Sequence, residues 1–288
     1  MEHVILNDGN KMPLEGFGVF QIPDAAQAEQ VTCDAIKVGY RLIDTAAAYF
    51  NEAAVGKGIA RAIADGLTTR EEIFITTKVW VQDMSDEATA YNAVKTSLSK
   101  LNLPYVDLIL LHQPMNDYFA AYRGLERAQT DGLTKSIGVA NFYPAILTNF
   151  CETVKTTPAV NQIELHPFFV QADALDNMKN YGVAPQAWAP LAEGKHGIFT
   201  DADLVAIGKK YNKTAAQVAL RWNIQRGVSI IPKSVHVERM IQNLDVWDFT
   251  LTEEEMATVA AKDLGRSEIV DHSSPAFVKM LHGWKVHD

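Results

Sequence analysis

The sequence predicts an α/β protein: a (β/α)8 TIM barrel with an N-terminal β-hairpin cap and a C-terminal tail over the active-site face. Eight short apolar runs alternate with eight helical patterns along the 288 residues, and strands that alternate with helices form parallel sheets. Eight such units in this length fit a closed barrel better than an open sheet. No linker rich in proline, glycine or serine divides the chain, so we expect residues 1–288 to form one domain.

The hairpin is predicted from two apolar runs, residues 4–6 and 12–14, that flank a turn at Asp8-Gly9. The eight barrel strands are expected at residues 16–20, 41–44, 73–78, 106–112, 135–140, 159–163, 184–188 and 228–232. The helices between them are expected at residues 24–38, 52–65, 86–100, 117–129, 144–155, 171–181, 214–225 and 237–244, with an extra helix at 201–211. Residues 266–288 lack this rhythm and are expected to form a tail across one face.

Composition excludes several classes of function. The net charge of −9 argues against nucleic acid or an anionic membrane as the main partner. The two cysteines, Cys33 and Cys151, lack the spacing of a zinc site or a disulfide framework, so we expect no metal. Residues 1–10 do not resemble a signal peptide and no apolar stretch is long enough to span a membrane, so we expect a cytoplasmic protein.

Four reactive side chains, Asp44, Tyr49, Lys78 and His112, each follow or close an apolar run. Because the carboxyl ends of barrel strands meet on one face, we expect them to share a pocket. An ammonium paired with a carboxylate and placed against a phenol favours the phenolate, so we expect a lowered pKa for Tyr49 and a usable proton donor near neutral pH. Taken singly, the alternatives are a capping tyrosine, a solvated strand-end lysine and a core histidine.

Five segments in this order resemble the signatures of the aldo-keto reductases: residues 39–52, 106–114, 136–142, 161–167 and 231–235. Residues 186–195 and 243–249 are similar to bacterial diketogluconate-reductase-like members of that family. The resemblance covers nearly the whole chain. It implies a barrel that binds NADPH over its carboxyl face and reduces aldehydes and ketones to alcohols. Tyr49 would donate the proton, Lys78 and Asp44 would tune it, and His112 would orient the carbonyl.

The cofactor site is expected after the eighth strand. No Gly-x-Gly-x-x-Gly follows a strand, which argues against a Rossmann site. Lys233, Ser234 and Arg239 surround a helix N-terminus and suit a monoester phosphate, such as the 2′-phosphate of NADPH; the alternative is a basic patch on a solvated helix. For the nicotinamide end, the resemblance implies Asn141 and Gln162 at the carboxamide and Trp188 stacked on the ring. The pyrophosphate would lie under the loop from Leu191 to Lys195, which includes Glu193, and the adenine would lie against Gln242 and Asn243. Further contacts are implied for Asp44, Ala189, Pro190 and Val235. Two departures from many relatives are Ala140 in place of serine and Gln113 in place of tryptophan.

The substrate is expected to meet Tyr49 and His112 inside a pocket walled by Phe20 and Trp80. Aromatic walls with few polar groups favour small, partly apolar carbonyl compounds. Phe50 and the tail residue Trp284 fit either the pocket or core packing. His112 and His166 lack a third metal ligand at plausible spacing, and we expect His166 to shape a loop.

The second functional hypothesis is a non-enzymatic NADPH-binding module that senses redox state for a partner protein. Such a protein is expected to have lost a catalytic residue or to carry a long added segment, and neither is seen in this sequence. We therefore expect an enzyme whose partner is a small-molecule carbonyl compound, with no nucleic acid and no membrane. We expect a monomer, with a dimer as the alternative.

Overall fold

A two-stranded antiparallel hairpin opens the described chain, residues 2–287 of the computed structural model, as predicted. Its strands are β1 (His3–Ile5) and β2 (Lys11–Pro13). Gly9 lies in the turn with a φ of 86°, a left-handed conformation that glycine adopts without steric cost. Met12 is fully buried and packs with side chains from inside the barrel, so the hairpin closes the amino-terminal end of the barrel.

Eight parallel strands form the barrel, and each pairs with the next in sequence. They are β3 (Phe17–Gly18), β4 (Leu42–Asp44), β5 (Phe74–Val79), β6 (Val106–Leu111), β7 (Thr134–Ala140), β8 (Val160–Glu164), β9 (Ala184–Trp188) and β10 (Ser229–Ile230). Backbone hydrogen bonds from Gly16 to Ile230 (2.8 Å) and from Gly18 to Pro232 (3.2 Å) join the first strand to the last. A Cβ at Gly18 would stand 2.8 Å from the carbonyl oxygen of Ile231, so only glycine allows this close approach. All eight predicted strands are confirmed.

Helices alternate with the strands and cover the outside of the barrel. They are α1 (Ala25–Val38), α2 (Glu52–Ala64), α3 (Glu87–Leu101), α4 (Tyr118–Thr130), α5 (Pro144–Cys151), α6 (Ala172–Tyr181), α7 (Ala202–Tyr211), α8 (Ala215–Gln225), α9 (Val237–Leu244), α10 (Glu253–Ala260) and α11 (Pro275–Gly283). The side chains of Asp24, Asp86, Asp117 and Thr214 each accept a hydrogen bond from the first turn of the helix that follows.

One predicted helix needs correction, and two helices were not predicted. The fifth helix ends at Cys151 and not at residue 155, because β-branched residues and then Pro158 follow and disfavour a helix. Helix α10 was not predicted, although Thr252 and Glu255 form a reciprocal capping box at its start. Helix α11 lies within the predicted tail, where Ser274 caps its N-terminus.

The tail crosses the carboxyl ends of the strands, as predicted. Leu281 and Val286 are buried there against Trp80. The backbone oxygen of Trp284 accepts a hydrogen bond of 2.8 Å from the Trp80 indole, and the backbone N–H of Val286 donates to Gln82 at 2.8 Å. Within residues 2–287, no helix combines the length and apolar character that a membrane span requires.

Candidate active site

The structure brings the four predicted catalytic side chains together at the carboxyl end of the barrel. Asp44 ends β4, and Tyr49 ends the one-turn helix Ala47–Tyr49 that follows it. The Lys78 Nζ, on β5, donates to Asp44 Oδ2 at 2.7 Å and to the Tyr49 hydroxyl at 3.2 Å. His112 follows β6, and its ring meets the Tyr49 ring edge-on with centroids 5.7 Å apart.

The Asp44–Lys78 ion pair is fully enclosed, with both side chains at most 2% exposed. Burial raises the pKa of Asp44 and lowers that of Lys78, and the attraction between the two charges opposes both shifts. Lys78 also donates to the backbone oxygen of Thr45 at 2.9 Å, so its ammonium has three oxygen partners. A buried pair with this many hydrogen bonds is costly to break from one side.

The expectation of a lowered pKa for Tyr49 is wrong for the free protein. Burial raises the pKa of Tyr49 well above its ordinary value, and the nearby Asp44 carboxylate raises it further. The tyrosine therefore keeps its proton at neutral pH. The Lys78 ammonium, 3.2 Å from the hydroxyl, is placed to stabilise the phenolate only after the proton has left.

His112 is a neutral imidazole. Burial and then the nearby Lys78 charge hold the pKa of His112 well below its ordinary value. Its buried Nδ1 has no hydrogen-bond partner within the described residues. A neutral ring can donate one hydrogen bond to a ligand but holds no extra proton to give, so Tyr49 stays the predicted proton donor.

Aromatic rings surround the mouth of the site. Phe20 packs against Tyr49 with centroids 4.9 Å apart, and Trp80 meets His112 edge-on at 5.0 Å. Phe50 and Trp284, which the sequence left between pocket and core, stack on each other at 6.4 Å. Both remain exposed, at 62% and 44%, so they line the opening and do not fill a core.

The side chains expected around the nicotinamide adjoin the catalytic set. Asn141 accepts a hydrogen bond of 2.9 Å from the Trp188 indole and donates to the backbone oxygen of His112 at 3.0 Å. Gln162 is buried and donates to Asp44 Oδ1 at 2.8 Å. A carboxamide-binding role for Asn141 and Gln162 therefore stays a prediction, and the structure adds that both residues contact the catalytic set.

The loop expected over the pyrophosphate follows β9 and is irregular. Ala189, Ala192 and Glu193 all have positive φ, between 47° and 51°, a conformation that residues with a side chain rarely adopt. Lys195 donates to the backbone oxygen of Glu268 at 2.6 Å, so the loop is attached to the C-terminal segment. Leu191, the first predicted residue of the loop, is half-buried, and Pro190, a predicted cofactor contact just before it, is buried.

The residues expected at the phosphate and adenine lie after β10 and on α9. Lys233, Arg239 and Gln242 are exposed, whereas Asn243 is buried and Ser234 bonds the backbone of His236. Within residues 2–287, neither Lys233 nor Arg239 has an acidic partner within 4.0 Å. Glu238, the one acid nearby in sequence, instead lies 3.7 Å from the His236 ring. Two cations that lack an acidic partner in the described part of the chain thus lie near the start of α9, where an anion is favoured.

Sequence reasoning missed His272, which the tail places beside this site. Its ring lies 3.3 Å, through Nδ1, from the Tyr143 hydroxyl, and it meets the Trp188 ring at 6.5 Å. Burial lowers the pKa of His272 to about 4, so it is neutral at physiological pH. No periodicity or motif marks residue 272, and only the path of the tail could have revealed it.

His166 contacts Glu164 at 2.9 Å and lies in a loop, as expected. In the part of the chain that the structure describes, no three His, Cys, Asp or Glu side chains are placed to hold a metal ion.

Comparison with known proteins agrees with this geometry. The model of the Aldo/keto reductase family matches residues 16–264. An aldo-keto reductase of Mycobacterium sp. (strain MCS) is 43% identical over 265 residues, which cover 91% of each chain. A methylglyoxal reductase of Escherichia coli K12, DkgA, is 41% identical over 266 residues, 91% of this chain and 93% of the relative. The crystal structure of a Bombyx mori aldo-keto reductase in complex with NADP superposes with a TM-score of 0.89, at 36% identity, over 94% of this chain and 95% of that one. The chain belongs to the aldo/keto reductase family, which confirms the predicted family and fold class.

Proposed function

We infer that this chain is an NADPH-dependent reductase that converts aldehydes and ketones to alcohols, with Tyr49 as the proton donor. Family membership and the reductase names of its relatives support the activity, and the NADP complex of the silkworm protein supports the cofactor. The observation that carries the assignment of roles is the Lys78 ammonium, which contacts both the Asp44 carboxylate and the Tyr49 hydroxyl.

Each catalytic side chain then has a definite task. When bound, NADPH supplies the hydride that reaches the carbonyl carbon. The neutral His112 ring donates a hydrogen bond that directs the carbonyl oxygen towards Tyr49. Tyr49 transfers its hydroxyl proton to that oxygen, and Lys78 stabilises the phenolate that remains. Asp44 keeps Lys78 charged inside the barrel.

The chain also offers a fitting site for the adenosine phosphate of NADPH. Lys233 and Arg239 are exposed cations that lack an acidic partner within the described residues, next to the N-terminus of α9. A dianionic phosphate satisfies both charges and interacts favourably with the helix dipole. We place Ser234, Val235, Gln242 and Asn243 around the same end of the cofactor, and Trp188 with Asn141 at the nicotinamide.

The substrate we propose is a small, uncharged carbonyl compound. Phe20, Trp80, Phe50 and Trp284 surround the mouth with rings, and the Lys78 charge is fully buried and already paired. Such a pocket favours apolar groups beside the carbonyl. Glyoxal-type dicarbonyls fit it, which agrees with the name of the Escherichia coli relative.

The alternative of a non-enzymatic NADPH-binding sensor is not supported. A sensor has no need for a protonated tyrosine held against a buried ammonium, and the relatives compared above are named as reductases or aldo-keto reductases. We further propose that the enzyme acts as a single-domain monomer in the cytoplasm. All members of the site come from one chain, and the thiols of Cys33 and Cys151 are free.

The experiment that tests this function is a carbonyl panel. Purified protein is mixed with NADPH or NADH and with sugar-derived diketones, α-keto esters, methylglyoxal or aromatic aldehydes, and cofactor oxidation is followed. We expect turnover of uncharged carbonyl compounds with NADPH and a weaker rate with NADH. No oxidation of NADPH with any member of the panel would contradict the proposal, and a clear preference for NADH would contradict the phosphate site.

A further inference from the structure

A chain of buried polar side chains connects the catalytic carboxylate to the opposite end of the barrel. Gln162 on β8, Gln186 on β9 and Ser229 on β10 are at most 2% exposed. They face one another across neighbouring strands, since Gln162 pairs in register with Gln186 and Gln186 with Ser229. An all-apolar layer is the usual filling of a barrel interior, so this row calls for an explanation.

Gln162 donates hydrogen bonds to both of its neighbours in the row, Asp44 and Gln186, and each later bond is donated towards the hairpin. Gln162 Nε2 donates to Asp44 Oδ1 at 2.8 Å and to Gln186 Oε1 at 2.7 Å. Gln186 Nε2 donates to Ser229 Oγ at 3.2 Å. The Ser229 hydroxyl donates to the backbone oxygen of Pro13, in the hairpin, at 3.0 Å.

The Pro13 carbonyl fixes how these side chains are turned, because it can only accept a hydrogen bond. If Ser229 gives its single hydrogen to Pro13, its oxygen is left to accept from the Gln186 amide. Gln186 then turns its carbonyl oxygen to Gln162, and Gln162 must present its NH2 group to Asp44. If the Gln186 amide were reversed, its NH2 group would face the NH2 group of Gln162. Reversing Gln162 as well would remove that clash, but it would place the Gln162 oxygen against the Asp44 carboxylate.

We propose that Ser229 and Gln186 are positioning residues that act through Gln162, and that the row holds the catalytic Asp44 carboxylate as a hydrogen-bond acceptor beside Lys78. This inference rests on the proposed function for its catalytic consequence, but not for its structural one. The Asp44 carboxylate has one oxygen for Lys78 and the other for Gln162, so each holds one side of the group. Hydrogen bonds to the ionised form favour that form, and this one helps keep Asp44 charged in spite of burial.

The test compares two buried serines. Ser229→Ala removes the link to Pro13, whereas Ser136→Ala is the matched control. Ser136, on β7, is also fully buried, and its Oγ accepts a hydrogen bond of 3.0 Å from Asn10 Nδ2 in the hairpin segment. Among the described residues it makes no hydrogen bond to Gln162, Gln186 or Ser229. Both variants remove one buried hydroxyl and should lose similar thermal stability.

The first readout is the titration of Asp44 in the free protein, followed by NMR of labelled aspartate carboxyl carbons. Lys78 on β5 and Tyr49 beyond β4 are the titratable groups that face Asp44, and neither variant changes them. Because the bond from Gln162 favours the carboxylate, we expect Ser229→Ala to raise the pKa of Asp44 by about half a unit to one unit. Ser136→Ala should leave the pKa of Asp44 in place.

The second readout is kinetic. In Ser229→Ala we expect kcat to fall by about threefold to tenfold, as for one hydrogen bond of modest strength, and the acid limb of the kcat–pH profile to move to higher pH. In a Gln162→Ala background, Ser229→Ala should not lower kcat further, because the hydrogen bonds from Gln162 to Asp44 and Gln186 are already absent. Ser229→Cys keeps a side chain of similar size with a weak hydrogen-bond donor, so its kcat should lie between those of Ser229→Ala and wild type.

Two results would overturn the proposal: equal behaviour of Ser229→Ala and Ser136→Ala in the Asp44 titration, or an undiminished effect of Ser229→Ala when Gln162 is absent. The NMR titration needs no turnover. A protein that reduces no carbonyl compound but shows the Asp44 shift would therefore contradict the proposed function and leave the positioning row intact.

Discussion

We propose that the chemistry of the site depends on Lys78, because its ammonium contacts both Asp44 and Tyr49. Lys78→Met leaves a buried carboxylate without its cation and a tyrosine without a charge to stabilise its phenolate. We expect kcat to fall by about a hundredfold or more, and the free energy of unfolding to fall by about 3 kcal/mol. Steady-state kinetics and denaturant unfolding measure the two losses.

A matched double variant separates these effects. Lys78→Met with Asp44→Asn removes both buried charges, so it should recover much of the lost stability. It should recover no activity. A double variant as active as wild type would show that the ion pair only supports the fold.

Tyr49 illustrates what the sequence could and could not reveal about a residue. The motif around residues 39–52 identified the tyrosine, and its charged neighbours led us to expect a lowered pKa. The depth of the hydroxyl, which decides the sign of the shift, depends on how the strands close around it. Burial and the Asp44 charge raise the pKa of Tyr49, and neither effect can be read from spacing along the chain.

Glu15 is one of several buried acids, and it lies outside the predicted motifs. It accepts a hydrogen bond of 2.8 Å from the Trp247 indole, but its Oε1 has no hydrogen-bond partner among residues 2–287, and burial raises the pKa of Glu15 to about 8. Because the folded state holds this proton more tightly than the unfolded chain, Glu15 lowers stability progressively as pH rises from about 4.5 to about 8. Above about pH 8, where Glu15 is ionised in both states, the free energy of unfolding is lower than at acid pH by about 3–5 kcal/mol.

We therefore expect Glu15→Gln to be more stable than wild type at pH 8 to 9 and nearly equal to it near pH 5. Unfolding by denaturant at both ends of this range measures the difference. The control is Glu71→Gln, at an exposed glutamate, which should change stability little at any pH. A stability difference for Glu15→Gln that does not depend on pH would show that the carboxyl is ionised throughout.

At the scale of single elements, we propose that α9 determines the preference for NADPH over NADH. Arg239 on this helix has no acidic partner in the described chain, so its expected counter-charge is the phosphate that distinguishes NADPH from NADH. We expect Arg239→Ala to raise the KM for NADPH by about tenfold or more, since a charge-assisted contact contributes roughly 1.5–3 kcal/mol. The KM for NADH should change little.

Steady-state kinetics with both cofactors check this prediction. Arg123→Ala is a suitable control, because Arg123 is an exposed arginine on α4 whose nearest acid is Glu87. Equal losses with NADPH and NADH in Arg239→Ala would mean that Arg239 supports the fold and does not bind the phosphate.

The tail is the element that shapes the entrance to the pocket. Trp284 stacks on Phe50, while its backbone oxygen holds the Trp80 indole. Trp284→Ala keeps that backbone bond and removes only the ring. We expect KM for an aromatic aldehyde to rise by about fivefold, the effect of roughly one aromatic contact, and KM for a small dicarbonyl to change less. Kinetics with the two substrates test this, and an equal change in both would argue against a specificity role for the ring.

The elements themselves were predictable where local chemistry agreed with the fold. Apolar runs located all eight strands, and side-chain caps such as Asp24 and Thr214 located the starts of their helices. The tail was less predictable because few of its residues are buried, so α11 has only a weak apolar pattern to mark it. Its position over the site depends on distant partners, such as Trp80 with Trp284, that no local pattern encodes.

At the scale of the whole molecule, the two ends of the barrel are covered by different segments. The hairpin closes the amino-terminal end, and the catalytic set and the tail occupy the carboxyl end. The sequence predicted this division from the order of strands and helices. It could not predict the polar row from Asp44 to Pro13, because Gln162, Gln186 and Ser229 lie far apart in sequence and meet only when the barrel closes.

The central claim is that Tyr49 gives its proton to the carbonyl oxygen, and Tyr49→Phe tests it most directly. The variant keeps the ring that packs on Phe20 and removes only the hydroxyl that Lys78 contacts. The measurement is kcat for a good carbonyl substrate, with NADPH affinity determined by fluorescence titration on the same sample. We predict that kcat falls by about a hundredfold or more while NADPH affinity is unchanged. A Tyr49→Phe enzyme that reduces the substrate at a rate near that of wild type would contradict the account.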